Sequence, residues 1–485
     1  MRVLFVTDSG YPFSATALSN WEAELIAGLN DYSFSVMALT NTILEEPVFV
    51  CPQHVEGLLH LDGVDTGRKL REEDKALART SLESLLGFLE GDTMSFARGL
   101  HELALLGHDC TLLELFDERA FWRKLGARLR RQLPYTPSLA ELGLSANWLK
   151  TLAPLLFIPP DSDLVHVNSA GLASVPAWLG SSIHGAPLIV AEQTSYLREH
   201  YLSETETLAS LKYVKSSFFK TLSQLVYYYA DKVVAATPSA RKWQLELRTP
   251  TEKTRVLSPG VSKRFSPTEA TSSAAPYAAW LGRIDPLENL TTLVEAFSKV
   301  QKLLPGTRLL LYGALPEKHK GYFQALSDRI DTLGLIKLVH FMGPVSKPSV
   351  LDAAGLAVFP GENARFPFEL VEAMMKGKAV IAADIGSAAD IAADAAALFP
   401  LKDETALTAK LLELLGNPSL RRARGKRARK LALKRYQLET AISRFRQVYR
   451  EVIMPASVSQ EDAVYLVTDR VSAVTEDTLL LDGAS

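Results

Sequence analysis

Glu369 and Glu372 stand three residues apart in FELVEAMM, the opening of a helix that follows the loop FPGENARFP. That spacing places both carboxylates on one helix face, and an acid in the first turn is favoured by the helix dipole. Carboxylates so placed accept hydrogen bonds from hydroxyls and cations. Glu362 is a further acid in the preceding loop, Ala364 eight positions before Glu372 carries no charge, and Phe366, Pro367 and Phe368 line the approach with apolar groups. Nothing nearby has metal-site spacing: no Asp-x-Asp pair stands near this helix, the 9 histidines are scattered, and Cys51 and Cys110 stand far apart. His166 and His340 fall in or at the ends of apolar runs, as buried hydrogen-bonded histidines do. From Arg421 to Lys430 the run RRARGKRARK concentrates positive charge, either as a solvated helix face or as a patch for phosphate or lipid.

These residues must be held by alternating strands and helices. RVLFVTD reads as a first strand, Asn20 to Leu29 as a helix with Trp21, Leu25, Ile26 and Leu29 on one face, and FSVMALT as a second strand. This β-α-β opening belongs to parallel sheets covered on both faces, whose ligands bind at the carboxyl ends of the strands. A charged helical stretch from about Lys69 to Arg130 interrupts the pattern, which resumes at LVHVN, PLIVAEQ and DKVVAAT. After RVLSPG a polar linker, Ser266 to Pro276, leads to a second alternation beginning at YAAWLGRID and continuing through TRLLLYG, KLVHFMG, LAVFPG, KAVIAAD and AAALFP. Beyond Pro418 the periodicity is helical to Val448. The stretch after Pro455 carries Glu461, Asp462, Asp469, Glu476, Asp477 and Asp482 against the single Arg470, with VYLVT as a candidate edge strand.

With 485 residues and 47% hydrophobic content the chain is long enough for two or three cores. A formal net charge of -2 argues against a general nucleic-acid binder. Two cysteines make no disulfide framework, so a reducing cytoplasm is expected. No uncharged run approaches the roughly 20 residues a spanning helix needs, which leaves peripheral attachment at the inner membrane as the other expected placement.

LGRIDPLENLTTLVEAF, LLLYG, VHFMGPV and FELVEAMMKGKAVIAADIGSAADI together resemble the C-terminal domain of the family 4 retaining glycosyltransferases. With YPFSATALSNWEAELIAGL and LVHVNSAGLASVPAWLGSSIHGAPLIVAEQTSYLREHYL, the pattern is similar to PelF-like exopolysaccharide glycosyltransferases from Met1 to about Val448. The resemblance implies an α/β GT-B fold, two Rossmann-like domains facing a cleft. They would span residues 1–256, with a helical insertion at about 69–130, and 257–432, followed by a helix at 433–454 returning to the first domain and an acidic tail at 455–485. It also implies retaining transfer from a UDP-sugar or other nucleotide diphosphate sugar, with no metal and no separate cofactor required.

Carried over residue by residue, the resemblance makes Gly282 and Arg283 the diphosphate contact and Glu372 the ribose contact. Glu369, Glu362 and Arg198 are secondary candidates. Five positions depart from the family pattern. Thr16 and Ala17 replace a glycine pair that lets backbone approach the diphosphate, and Gln193 replaces a histidine near the reacting sugar. Glu288, in IDPLENL, replaces a phosphate-binding lysine, read here as a solvent-facing helix-start acid. Ala364 replaces the first of two glutamates. No catalytic residue is therefore assigned. The expected role is a degenerate family member acting as scaffold or regulatory partner in exopolysaccharide or glycan synthesis. An active retaining transferase with a rebuilt donor site and a glycan- or partner-binding module stand beside it. The expected partner is a protein of a glycan-synthesis complex, either soluble or membrane-associated, with self-association left open. Its proposed docking surface is an apolar patch at Lys69 to Arg130, supplied by Leu82, Leu85, Leu86, Phe88, Leu89, Phe96 and Leu100.

Overall fold

A computed structural model describes residues 1–39, 46–61, 68–108, 110–203, 208–266, 277–344, 351–352, 354–362 and 365–454. The expectations at Ala364 and for an edge strand at VYLVT lie outside these residues. The chain divides into two compact units, one of 1–236, 241–257 and the residues from Ser443 on, the other of 237–240 and 258–442.

The first unit is built on a parallel sheet of β1 (Arg2–Thr7), β2 (Ser33–Leu39), β3 (Val55–Leu61), β6 (Leu164–Val167), β7 (Leu188–Glu192), β8 (Lys232–Ala235) and β9 (Thr254–Val256). A separate two-strand ladder pairs β4 (Arg68–Lys69) with β5 (Cys110–Thr111). The main sheet runs in the order β3-β2-β1-β6-β7-β8-β9. Strand order reverses between β1 and β6, which pair directly, Val6 opposite Val167. Val3 to Val6 are buried throughout, because helices cover both faces and leave no side of the strand for polar residues. The last turns of the helix Leu438–Ile453 complete this unit. Trp21 packs on Phe445 with ring centroids 5.8 Å apart, His166 Nδ1 lies 2.6 Å from the Tyr449 hydroxyl, and Arg446 pairs with Asp31. Burial pushes His166 down to about 3, so it is a neutral hydrogen-bonded core residue.

The helical insertion comprises Glu72–Leu85, Thr93–Gly107, Leu113–Asp117, Arg119–Gln132 and Leu139–Lys150, and so continues past Arg130. The expected apolar patch is not a surface. Leu82, Leu85, Leu86, Phe88, Leu89, Phe96 and Leu100 are all buried. They meet the long helix Ala209–Tyr229, where Phe218 sits 5.5 Å from Phe88 and 5.4 Å from Phe96, ring edge to ring face. Helices Glu72–Leu85 and Thr93–Gly107 approach so closely at Gly99 that a Cβ there would stand 2.3 Å from the Leu85 amide nitrogen. The insertion thus spends its apolar side chains on the core it shares with the rest of the first unit.

The second unit carries the parallel sheet β12-β11-β10-β13-β14-β15, formed by β10 (Tyr277–Arg283), β11 (Arg308–Ala314), β12 (Val339–Gly343), β13 (Leu356–Phe359), β14 (Ala379–Ala383) and β15 (Ala397–Phe399). Its order reverses between β10 and β13. Trp280, Phe297, Leu309, Val358, Ile381 and Leu411 form its core.

The basic run is split between solvent and this unit: Arg422, Lys426, Arg427 and Lys430 are exposed, as on a solvated helix face. Arg421 is buried and donates to the Leu414 and Leu415 carbonyls at 2.8 and 3.0 Å, capping the helix Glu404–Gly416, while Arg429 reaches the Met375 carbonyl at 2.5 Å. Gly425 lies where a Cβ would stand 2.0 Å from the Gly377 carbonyl oxygen. Cations at helix C-termini are favoured by the unpaired carbonyls and the dipole there.

Candidate functional site

In each sheet the place where strand order reverses opens a crevice at the carboxyl ends of two neighbouring strands. In the second unit this lies after β10 and β13. The two loops are stitched together: the Glu362 amide donates to the Leu287 carbonyl at 2.8 Å, and Asn289 Nδ2 donates to the Pro360 carbonyl at 3.3 Å. Asn289 takes a left-handed conformation, φ 49, to begin the helix Leu290–Leu303. Gly282 and Gly313 admit the Trp280 ring, since a Cβ at either would fall within 3 Å of it.

Arg283 emerges exposed from the end of β10, with no hydrogen bond or ion pair among the described residues. Glu288 turns into the crevice. Its Oε2 lies where a Cβ on Gly361 would stand, 2.7 Å away. Its pKa is pushed up to about 8, first by desolvation and then by the nearby Glu369 carboxylate and Asp285, against the opposing pull of the Trp280 indole N–H and the Arg283 guanidinium. The expectation of a solvent-facing Glu288 is corrected on this point. The turn Pro286–Glu288 is capped by Asp285, which accepts from the Leu287 amide at 2.9 Å and aims the following side chain at Gly361 rather than outward.

The helix Phe368–Met375 supplies the other wall. Phe366 and Phe368 are buried edge to face with ring centroids 4.9 Å apart, so they belong to packing. Glu369 is half-buried; desolvation raises its pKa, while its own amide and Arg283 lower it. Glu372 is half-buried on the same helix. Lys376 and Lys378, at the helix end, pin the segment before β13 through Asp352 Oδ1 at 2.9 Å and the Ala354 carbonyl at 2.8 Å. Glu362 lies 3.8 Å from Lys402. The second unit therefore brings Arg283, Glu288 and Glu369 within electrostatic reach of one another.

In the first unit, the crevice after β1 and β6 holds a carboxyl group that the sequence reading passed over. Glu22 is 1% exposed and sits among hydroxyl and amide groups: Thr7 Oγ1 at 2.9 Å, Asn168 Nδ2 at 2.6 Å, and the Ser9 hydroxyl. Burial pushes it up to about 8, with these hydrogen bonds opposing. Its signal was legible, because Glu22 stands at the head of the apolar stripe continued by Leu25, Ile26 and Leu29.

The loop that Glu22 anchors has its amides largely committed. Ser9 N donates to Thr7 Oγ1, Tyr11 N to Ser9 Oγ, and Phe13 N and Ser14 N to the Gly10 carbonyl. Thr16 caps the helix Ala17–Gly28 in a reciprocal box with Ser19, so two more donors are internally used. The turn at Thr16 and Ala17 thus reads as a packed helix start more than as an anion cradle.

Gln193 follows β7 and is 9% exposed, its Nε2 without a partner among the described residues. Glu192 beside it is a structural hub, accepting from the Ala170 amide at 3.0 Å, Gln244 Nε2 at 3.3 Å and the Tyr227 hydroxyl. Arg198 is half-buried on the helix Tyr196–Ser203, and His200 packs on Phe219 with ring centroids 4.8 Å apart. Among the described residues no cluster of three or more His, Cys, Asp or Glu has the arrangement of a metal site.

Residues 1–252 match the family described as "Domain of unknown function (DUF3492)". The chain belongs to that family. Residues 263–431 match "Glycosyl transferases group 1". The D-inositol 3-phosphate glycosyltransferase of Nocardia farcinica is 29% identical over 216 residues, 41% of this chain and 48% of the relative. The D-rhamnosyltransferase WbpZ of Pseudomonas aeruginosa is 30% identical over 180 residues, 35% of this chain and 45% of the relative. The chain thus spans about half the length of these curated relatives. Sucrose-phosphate synthase from Thermosynechococcus elongatus superposes with a TM-score of 0.63 at 16% identity, covering 93% of this chain and 98% of that one. Anabaena HepE in complex with UDP-glucose superposes with a TM-score of 0.60 at 15% identity, covering 93% and 100%. This DUF3492 member is a glycosyltransferase-family protein with the GT-B architecture of two Rossmann-like domains and a helix-rich insertion in the first.

Proposed function

We propose that the chain binds a nucleoside diphosphate sugar at the crevice after β10 and β13, and that its transfer is slow. Arg283 contacts the diphosphate and Glu372 the ribose hydroxyls. The observation that carries this reading is an exposed guanidinium at the topological switch point that makes no hydrogen bond or ion pair among the described residues, beside two carboxyl groups whose pKa values are raised. A free guanidinium matches a diphosphate oxygen pair, and a Glu288 protonated at neutral pH does not repel it. Support for a UDP-sugar comes from HepE, which shares the fold and was crystallised with UDP-glucose.

Slow transfer follows from what the site lacks. Retaining transfer breaks the bond from the anomeric carbon to the diphosphate oxygen and forms one to an acceptor hydroxyl, whose proton must leave. The leaving diphosphate needs positive charge in the transition state. At Glu288, where the resemblance expects a lysine, this crevice offers a proton at most. Each absent electrostatic partner costs on the order of 10²-fold. We therefore assign the chain a scaffold or regulatory place, beside a protein partner at the cytoplasmic face of a membrane, in PelF-like exopolysaccharide or other glycan assembly. The raised pKa of Glu288 favours a second reading, an active transferase with a rebuilt donor site, because it removes the charge conflict at neutral pH. Nucleoside diphosphate release from UDP-glucose, with and without sugar acceptors, separates the two. Acceptor-dependent turnover near ~1 s⁻¹, abolished by Arg283→Ala, establishes the active transferase; the scaffold reading expects rates far below it.

A further inference from the structure

Among the described residues, the helix Arg119–Gln132 carries a row of cations whose charge pairing fails. Most cations on these helices have a counter-ion: Arg79 binds Glu118 at 2.7 Å, Lys124 binds Glu83, and Arg128 and Arg131 share Glu90. Arg119, Arg123 and Arg130 have none among the described residues. They lie on one stripe of the helix Arg119–Gln132, at steps of four and seven residues, spread along about 16 Å at 1.5 Å per residue. All three line a groove of about 780 Å³.

The other wall of that groove is the helix Leu139–Lys150, and its floor is apolar. Trp122, Leu142 and Gly126 form it, with Leu139 at the end, 78% exposed. Gly126 makes the depth, since a Cβ there would stand 3.1 Å from Leu142 Cδ1. An exposed leucine beside unpaired guanidinium groups costs solubility and gains nothing within the described fold. The complement is an extended chain with apolar side chains in its middle and acids at its flanks.

The chain itself contains that complement. In EDTLLLD, Leu479, Leu480 and Leu481 are flanked by Glu476 and Asp477 on one side and Asp482 on the other, within a segment from Pro455 that carries six acids against Arg470. Laid out extended, Glu476 to Asp482 spans about 20 Å, against about 16 Å between the outer arginines. Reach is no obstacle. The roughly 24 residues from Met454 to the leucines extend to about 80 Å, more than the ~50 Å across a unit of this size. We propose that the groove between the helices Arg119–Gln132 and Leu139–Lys150 is the seat of the chain's own acidic segment, with Leu479 to Leu481 on the Trp122–Leu142 floor and the flanking acids on Arg119, Arg123 and Arg130. Release of the segment exposes a basic-rimmed apolar groove, so the contact is a self-masking one.

The test uses the full chain with a photo-crosslinking amino acid at Leu139, irradiated at low micromolar concentration and mapped by mass spectrometry. The proposal expects crosslinks within one chain to residues 470–485. They should fall at least tenfold in Arg123→Glu/Arg130→Glu, whose exposed sites leave the fold intact by circular dichroism, and weaken in 1 M salt, where the screening length is about 3 Å. Charge exchange sharpens this: adding Glu476→Lys and Asp477→Lys to the arginine variant should restore them. Crosslinks confined to other segments, crosslinks only between two chains, yields indifferent to charge reversal, or binding of phosphatidylglycerol vesicles through the groove without competition from the segment would each overturn the proposal.

Discussion

Glu288 changes meaning between sequence and structure. As a letter it is a negative charge in place of a phosphate-binding lysine; in the fold it is a desolvated carboxyl whose proton is lost only near pH 8. Below that pH it is neutral, and above it a full negative charge faces Arg283 and any diphosphate held there. Nucleotide affinity should therefore fall as pH rises through about 8, and Glu288→Gln should flatten that fall. Calorimetric titration with UDP from pH 6.5 to 9.5 checks it; a Gln variant with the wild-type pH profile removes Glu288 from the site.

Glu22 gives a stability counterpart. Its folded pKa of about 8 lies above the ordinary carboxylate value, so between about 4.5 and 8 the native state holds a proton that the unfolded chain releases. Stability contributed at this site is full below about 4.5, declines as pH rises to 8, and is flat above. Glu22→Gln should cost about 1 kcal/mol at pH 5 and become stabilising by a few kcal/mol at pH 9. Urea unfolding at the two pH values reads the difference; a pH-independent ΔΔG contradicts it. Glu22 was legible as a charge within an apolar stripe. Its partners were not, because Thr7 and Asn168 are 161 residues apart and meet only through the β1–β6 pairing. Arg283 and Glu372 could be chosen from motif position, whereas the inward turn of Glu288 depends on the Asp285 cap and the bare face of Gly361, which no spacing displays.

Among the elements, the sequence was informative where periodicity is local. Apart from β3, which no expectation named, the strands of both sheets and the helices opening FELVEAM and NWEAEL follow from apolar runs and their spacing. The insertion was harder, because the apolar residues of a helix look alike whether they meet solvent, a partner or another helix of the same chain. Only the packing of Phe88 and Phe96 on Phe218, more than a hundred residues away, decides it. The basic run divides: Arg422, Lys426, Arg427 and Lys430 stand on the solvated face expected of it, while Arg421 and Arg429 cap carbonyls and Gly425 allows backbone-to-backbone contact with Gly377. Gly425→Ala should force those segments apart and cost about 1–3 kcal/mol, with a lowered midpoint in thermal unfolding. An unchanged midpoint would show that the helix Pro418–Arg435 shifts without penalty.

For the whole molecule, two parallel sheets with the same order of reversal give two crevices of opposite character. The first is closed around Glu22 and spent amides; the second presents Arg283 unpaired. If the second crevice holds a nucleoside diphosphate without efficient chemistry, the chain binds free nucleotide through Arg283. Titration of the purified chain with UDP, GDP and ADP at pH 7 should give saturable binding of at least one, weakened at least tenfold, about 1.4 kcal/mol, by Arg283→Ala. No saturable binding of any of the three at millimolar concentration, or an Arg283→Ala variant that binds as the parent does, would contradict it.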